Sequence, residues 1–211
     1  MNAITERRTI LGMLGLLGPT LLLAECGKNW KLDHQGIAAK KNLPPLQFTL
    51  TDADTGKTVT AAGFRGKIVM LYFGYTNCPN VCPLTLGDSV RMFHIIGRRA
   101  GEIRFLLVTV DPQRDTIPIL RKYTSLFGSP NLIGLRGGET ELHEVASRYH
   151  AGYSVHPSPD PAKYTVTHTA AVYVFNRQRK PEFIIAGMAS PHPDLKRIAG
   201  DLRHLAATDR P

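Results

Sequence analysis

The feature that most constrains this chain is a pair of cysteines, Cys78 and Cys82, between an apolar run and a helix-like segment. The run, residues 68–73, reads Ile-Val-Met-Leu-Tyr-Phe. A continuous apolar run of this length is typical of a strand at the centre of a sheet, buried on both faces. Two thiols that follow such a strand form a redox pair, a soft-metal site, or both.

The prolines beside the cysteines predict the local backbone. Cys78 and Cys82 each precede a proline, and the residue before a proline is pushed away from the helical region. Pro83 suits the first position of a helix, where no backbone donor is needed. The sequence therefore predicts that 78–82 is a loop and that Cys82 is the N-cap of the next helix. The partial positive charge of a helix N-terminus favours a thiolate, which is both the nucleophile and the metal ligand.

Strand-like and helix-like segments alternate along the rest of the chain. The further predicted strands are 46–50, 103–110 and 132–135, and a terminal hairpin joins 170–175 to 182–186. The predicted helices are 84–99, 116–127, 140–149 and 193–206. Alternation of this kind implies parallel connections, to which the hairpin adds antiparallel strands. The predicted fold class is α/β: a thioredoxin-like single domain with a central mixed sheet flanked by helices.

Length and charge narrow the function classes. A chain of 211 residues favours one domain. The formal net charge is +9, but the 26 lysines and arginines are scattered, without a dense basic block or interleaved aromatic residues. We therefore expect no nucleic-acid partner. A solvated basic surface is the simpler interpretation, and an acidic protein partner or an anionic membrane surface is the alternative.

The N-terminus has the pattern of an export signal. Arg7 and Arg8 precede an apolar stretch, 10–23, that is shorter than the roughly 20 residues of a membrane-spanning helix. The sequence Leu-Ala-Glu-Cys at 23–26 is similar to a bacterial lipoprotein box, with Cys26 as the lipidated residue. Glu25 stands where a small residue is usual, and without cleavage the same stretch would be a short anchor.

We therefore divide the chain into three parts. Residues 1–26 are predicted to be a signal peptide or anchor, 27–43 a polar tether, and 44–207 the folded domain. With Cys26 lipidated, the mature domain holds only Cys78 and Cys82. A disulfide that closes so short a loop contributes little chain entropy, so these cysteines are expected to serve chemistry rather than stability.

Three motifs in this order resemble those of the SCO/SenC family. The first is the stretch from Phe73 to Pro83 that contains both cysteines, with Asn80 where the family usually has Asp. The second is Val-Thr-Val-Asp-Pro-Gln-Arg-Asp-Thr at 108–116, and the third is Val-Thr-His-Thr at 166–169. The resemblance runs from about residue 44 to residue 205.

The resemblance implies a copper-binding protein outside the cytoplasm, tethered to the membrane by its N-terminus. Copper, as Cu(I) or Cu(II), would be held by Cys78, Cys82 and His168. The implied role is that of a metallochaperone, not an enzyme, that assists assembly of the copper centre of cytochrome c oxidase. Its partners would be the copper-accepting oxidase subunit and an upstream periplasmic copper donor or thiol reductant.

The residue types support copper independently but leave alternatives open. Two thiolates and an imidazole suit copper, whereas a structural zinc site normally has four protein ligands. A thiol–disulfide oxidoreductase is the main alternative, and a thiol peroxidase is a weaker one. Asp111 and Asp115 are expected to form turns and cap helices, or else to orient the cysteine loop or present a partner surface. Tyr75 is expected to pack in the core, or else to shield the metal. His143 and His150, seven residues apart, are expected on a half-exposed helix face.

Overall fold

Ten strands and four α-helices alternate along residues 37–39, 43–160 and 163–209, the part of the chain that the computed structural model describes. The strands are β1 (Ile37–Ala39), β2 (Thr49–Asp52), β3 (Thr58–Thr60), β4 (Ile68–Gly74), β5 (Ile103–Thr109), β6 (Leu132–Arg136), β7 (Tyr153–His156), β8 (Thr165–His168), β9 (Val172–Phe175) and β10 (Pro181–Ile185). The helices are α1 (Val81–Ile96), α2 (Ile117–Ser125), α3 (Glu139–Arg148) and α4 (Leu195–Thr208).

Eight of these strands form one mixed sheet in the order β1-β10-β9-β4-β5-β6-β2-β3. The three central strands β4, β5 and β6 are parallel, and the β9–β10 hairpin pairs antiparallel with β4. All seven residues of β4 are buried, as expected for a central strand covered on both faces. Helices α1 and α4 pack against each other, and α2 packs on β6. The α/β class, the parallel centre and the terminal hairpin are thus as the sequence predicts.

The first strand enters the sheet at the end of β4 that leads to the cysteines. Tyr72, near the end of β4, lies opposite Val172 of β9, which lies opposite Ile185 of β10. Ile185 in turn lies opposite Ile37, the first residue of β1. The strand β1 falls within 27–43, so a part of the predicted tether pairs with the sheet. The leader at 1–26 lies outside the described residues, so its assignment stays a prediction.

The strands β7 and β8 form a separate two-stranded sheet. Tyr153 lies opposite His168 and His156 lies opposite Thr165. Among the described residues, no backbone ladder joins this hairpin to the eight-stranded sheet. The connection between the two strands begins at Pro157 and contains Pro159.

Both ends of α1 differ from the prediction. The helix begins at Val81 with Asn80 as its N-cap, so Cys82 is the second helical residue and not the cap. The error arose because a proline in the first turn replaces an N–H that has no partner within the helix, so Pro83 is tolerated two residues further in than expected. At the other end, Gly97 adopts a positive φ of 71° and terminates the helix before the predicted residue 99.

No helix among the described residues is long and apolar enough to cross a membrane. That finding concerns the domain itself, since the apolar stretch at 10–23 lies outside the described residues.

Candidate metal centre

The structure brings the two cysteines and one histidine into a single cluster. One ligand atom from each of Cys78, Cys82 and His168 lies within 4.8 Å of the other two. The Nε2 atom of His168 is 3.3 Å from the Sγ of Cys82 and 3.9 Å from the Sγ of Cys78. This is the only group of three or more metal-ligating side chains within the described residues. The sequence motifs therefore predicted side chains that lie together although they are up to 90 residues apart in the chain.

The cysteines occupy the turn between the central strand β4 and the start of α1. Cys78 lies in the loop, and the N–H of Cys82 donates a hydrogen bond to the Cys78 Sγ over 3.4 Å. Cys82 is fully buried, whereas Cys78 retains 9% exposure. The two thiols are thus unequal, because only Cys78 offers its sulfur toward solvent.

Gly74, the last residue of β4, leaves the space that the Cys82 thiol occupies. A Cβ at this position would lie 2.8 Å from the Cys82 Sγ and 2.9 Å from the Tyr72 ring. Carbon atoms do not approach so closely without displacing a neighbour. The absence of a side chain at Gly74 therefore permits the close approach of α1 to the end of the strand.

His168 ends β8, and its ring is oriented by three neighbours. Its Nδ1 lies 3.2 Å from the carbonyl oxygen of Thr169, a contact that places the proton on Nδ1 and leaves the Nε2 lone pair facing the thiols. The rings of Tyr72 and Tyr75 meet the imidazole edge-on, with centroids 5.9 and 5.8 Å away. The histidine thus presents the tautomer that a metal ligand requires.

The electrostatic environment favours one thiolate in the pair. The hydrogen bond from Cys82 lowers the pKa of the Cys78 thiol to about 4, with further help from backbone N–H groups and against the effect of burial. The hydrogen bond to Cys78 and the complete burial raise the pKa of Cys82. Burial also raises the pKa of Tyr72, whose neutral hydroxyl donates to the Cys82 Sγ over 3.5 Å. In the metal-free protein Cys78 is therefore the nucleophilic sulfur.

Asp115 supports the cysteine loop from below. Its fully buried carboxylate accepts hydrogen bonds from the N–H of Thr76 (3.0 Å), the hydroxyl of Thr76 (2.6 Å) and the hydroxyl of Thr109 (2.6 Å). Burial raises the pKa of Asp115. Of the two roles that the sequence leaves open for this residue, orientation of the cysteine loop is the one that these contacts support.

Asp111 binds the segment that leads to His168. It accepts a hydrogen bond from the hydroxyl of Tyr164 and pairs with the Arg114 guanidinium, whose Nε lies 2.5 Å from a carboxylate oxygen. The sequence did not point to Tyr164, because it lies in a polar stretch without periodicity. The sequence also did not identify Tyr72 and Gly74 as site residues, because both belong to an apolar strand whose pattern predicts only burial.

Three of the other histidines lie outside the cluster. His143 is an exposed residue of α3, and His150 follows that helix with a positive φ of 54°. His156 belongs to β7, where its Nε2 lies 2.9 Å from the Thr167 hydroxyl. None of the three shares a metal-ligating group of three with another side chain in the described residues.

The fold and the site define a class of protein. A parallel strand leads into two cysteines at the start of a helix, which is the thioredoxin-like arrangement. An imidazole from a separate hairpin adds a third side chain that can bind a metal. The SCO1/SenC family model matches residues 38–206. The chain belongs to the SCO1/SenC family.

Relatives of this family span several lineages. The mitochondrial SCO2 homologue of Bos taurus is 32% identical over 163 residues, which cover 76% of this chain and 59% of the bovine protein. The mitochondrial SCO2 homologue of Homo sapiens is 29% identical, over 95% of this chain and 76% of the human protein. This chain therefore spans just under three fifths of the bovine relative and about three quarters of the human one.

Solved structures agree with the fold. The copper-bound structure of Bradyrhizobium japonicum ScoI is 32% identical and superposes with a TM-score of 0.68, over 76% of this chain and 98% of that protein. Copper-bound yeast Sco1 is 26% identical with a TM-score of 0.70, over 80% of this chain and 92% of the yeast chain. The predicted thioredoxin-like mixed sheet flanked by helices is confirmed.

Proposed function

We propose that this protein is a copper metallochaperone that binds one copper ion through Cys78, Cys82 and His168 and assists assembly of the copper centre of cytochrome c oxidase. The observation that carries the proposal is the cluster itself, with three soft or borderline ligand atoms within 4.8 Å of one another. Two of the solved structures with the same fold, Bradyrhizobium japonicum ScoI and yeast Sco1, hold copper, which supports copper as the cargo.

The donor set fits copper better than the other common metals. Two thiolates and one imidazole form a soft, three-ligand set that suits Cu(I) and accommodates Cu(II). A closed structural zinc site calls for four protein ligands, and the described residues place no fourth His, Cys, Asp or Glu in the cluster. The lowered pKa of Cys78 favours the thiolate that binds a metal, and the Nδ1 contact to Thr169 turns the Nε2 atom of His168 toward the sulfurs.

Release of the cargo follows from the unequal burial of the ligands. Cys82 is fully buried, whereas Cys78 keeps 9% exposure and His168 is half-buried. An incoming thiolate from the acceptor can therefore approach on the side of Cys78, and a site with three ligands lets it bind before an original ligand leaves. The natural acceptor is the copper-binding subunit of the oxidase, and the natural supplier is a periplasmic copper donor or a thiol reductant that keeps the pair reduced.

Copper binding by single-residue variants tests the proposal. Reduced, metal-free protein should bind one equivalent of copper, and Cys78→Ser or Cys82→Ser should abolish tight binding. His168→Ala should weaken Cu(II) binding and change its absorption and EPR spectra. His156→Ala is the matched control, since this histidine lies in the neighbouring strand outside the cluster. Unchanged stoichiometry and spectra in His168→Ala would remove the histidine from the ligand set.

A thiol–disulfide oxidoreductase is the second candidate, and the asymmetry of the pair favours it. One partly exposed and one buried thiol is the arrangement in which the first attacks a target disulfide and the second resolves the mixed disulfide. In a deletion strain, loss of oxidase activity that added copper restores in part, but that a Cys78→Ser copy does not, indicates metal delivery. Normal oxidase with accumulation of oxidised thiols in exported proteins indicates the oxidoreductase.

The location that we propose is the periplasmic side of the inner membrane. The support comes from the sequence, with paired arginines before an apolar stretch and Cys26 after it. Mass spectrometry of the mature N-terminus distinguishes a diacylglyceryl Cys26, an uncleaved anchor and a soluble cleaved protein.

A further inference from the structure

His168 lies outside the main sheet, separated from β9 by three residues, and side chains help to fix its position. The hairpin β7–β8 that carries this histidine shares no backbone ladder with the eight-stranded sheet among the described residues. The cysteines, by contrast, follow the most buried strand of that sheet. The distance between the imidazole and the thiols is therefore set by whatever joins the hairpin to the body of the domain.

One such junction forms around Tyr164, immediately before β8. Its ring lies under the guanidinium of Arg114, with the Cζ atom 3.5 Å from the ring centroid, and its hydroxyl donates to Asp111. The NH1 group of Arg114 donates to the backbone carbonyl of the same tyrosine over 2.9 Å. Asp111 is nearly fully buried and completes the triangle through its ion pair with Arg114. Ring, hydroxyl and backbone of one residue are thus held by two side chains of the loop after β5.

A second junction lies between Tyr164 and His168. The N–H of Val166 donates to the hydroxyl of Tyr75 over 3.4 Å, and the Tyr75 ring contacts the His168 ring edge-on. Arg114 approaches this ring as well, at 5.8 Å from its centroid. Arg114 therefore lies between the two tyrosines that contact the strand of the histidine.

We propose that Tyr164, clamped by Asp111 and Arg114, is a positioning residue that holds His168 over the two thiols and thereby determines how well the site binds Cu(II) relative to Cu(I). The inference rests on the proposed function. Its chemical basis is that two thiolates alone satisfy soft Cu(I), whereas Cu(II) depends more on the harder imidazole nitrogen. A hairpin that swings away removes the imidazole and leaves both sulfurs in place, so the two oxidation states respond differently.

Two substitutions at Tyr164 remove its contacts with Asp111 and Arg114 in steps. Tyr164→Phe removes the hydroxyl bond to Asp111 but keeps the ring on Arg114, and Tyr164→Ala removes both. We expect Cu(II) affinity to fall about tenfold in Tyr164→Phe, the scale of one lost charge-assisted hydrogen bond, and to fall further in Tyr164→Ala, which also loses the ring contact with Arg114. The Cu(II) charge-transfer and EPR spectra should shift toward those of His168→Ala. Cu(I) affinity, measured by competition with a chromogenic chelator, should change by less than about threefold on the same scale.

The control is Tyr149→Phe, because it also removes a buried tyrosine hydroxyl, one that bonds the backbone of Gln47 and Pro45 and not the metal cluster. It should leave both copper affinities and both spectra as in the wild type. A readout without metal is the NMR signal of the His168 ring in reduced protein, which should broaden or move in Tyr164→Ala and stay in place in Tyr149→Phe. Tyr164→Phe provides the same comparison if the alanine variant does not fold.

Each outcome decides one of the two proposals. Wild-type Cu(II) spectra and affinity in both Tyr164 variants overturn the positioning role. Equal losses of Cu(I) and Cu(II) affinity, together with a lower melting temperature, also overturn it, since they indicate general destabilisation. A wild-type protein that binds no copper contradicts the proposed function instead, and the metal-free His168 signal then still decides whether Tyr164 holds the histidine.

Discussion

Gly74 is the residue of the central strand that the Cys82 sulfur approaches, so a side chain at this position would disturb both the sheet and the site. Replacing it with alanine places a methyl group 2.8 Å from the Cys82 sulfur, in a core without free volume. We expect Gly74→Ala to cost about 1–3 kcal/mol in the free energy of unfolding, the usual cost of overpacking, and to weaken Cu(I) binding because Cys82 must shift. Urea unfolding of reduced protein and chelator competition measure the two effects.

The matched control for Gly74→Ala is Gly87→Ala. Gly87 lies within α1, and a Cβ there meets no atom within 4 Å. Alanine is favoured over glycine inside a helix by about 0.5–1 kcal/mol, so this variant should be slightly more stable than the wild type. Equal effects of the two substitutions would contradict the packing role of Gly74.

Asp115 gives the domain a dependence on pH. Burial raises the pKa of this carboxyl in the folded protein, so the neutral form is the one that folding favours. Its contribution to stability is present below the ordinary pKa and is lost as the pH rises through the raised folded value. Asp115→Asn stays neutral and keeps a side chain that accepts and donates, so its free energy of unfolding should fall less between about pH 4 and pH 7.

Urea unfolding of reduced, metal-free protein at several pH values measures this difference. Asp160→Asn, at a more exposed carboxyl, is the control and should follow the wild-type pH profile. Parallel pH profiles for wild type and Asp115→Asn would show that Asp115 is not the group that titrates.

At the scale of elements, β1 covers an edge of the sheet that the predicted domain boundary at residue 44 leaves open. Its three residues pair antiparallel with β10. The free energy of unfolding of a chain that begins at residue 43 should therefore be about 1–3 kcal/mol lower than that of a chain that begins at residue 36, because the shorter chain lacks the hydrogen bonds of this ladder. It should also self-associate more readily, because an uncovered edge strand pairs with other chains.

Urea unfolding and analytical ultracentrifugation of the two chains measure these effects. Equal free energies of unfolding and equal molecular masses in solution would show that the pairing of residues 37–39 neither stabilises the domain nor prevents its association.

The elements that sequence patterns predict well are those with a buried face. Strands β4 and β5 are continuous apolar runs, so their place at the centre of the sheet follows from composition alone. The hairpin β7–β8 is different, because most of its residues are exposed and each strand has only four residues, too few for an alternating pattern to identify it. Only its last residue, His168, was predicted, and that prediction came from the family motif rather than from periodicity.

Helix boundaries and distant contacts were the other limits. Cys82 was placed one residue outside α1 because the preference of residues before proline is a tendency and not a prohibition. Tyr164 meets Asp111 across 53 residues of sequence, and no local pattern encodes such a contact. The ligand types were thus predictable, whereas the side chains that hold them in place were not.

In the whole molecule, the central sheet positions the two thiols and a separate hairpin positions the imidazole. The thiols follow β4, a strand with every residue buried, so their backbone is held by the core. The imidazole comes from a hairpin joined by a few side chains. A site of this kind keeps its sulfur ligands fixed while its third ligand responds to what happens at the surface.

The edge at which β1 enters the sheet also limits how far the metal can be from a lipid surface. Ile37, Ile185, Val172 and Tyr72 lie in one row across adjacent strands, which places Ile37 about 14 Å from the strand that leads to the cysteines. The ten residues 27–36 span at most about 35 Å. A domain held at Cys26 would thus carry its copper within about 50 Å of the bilayer, so an acceptor whose copper site lies farther from the membrane could not be served.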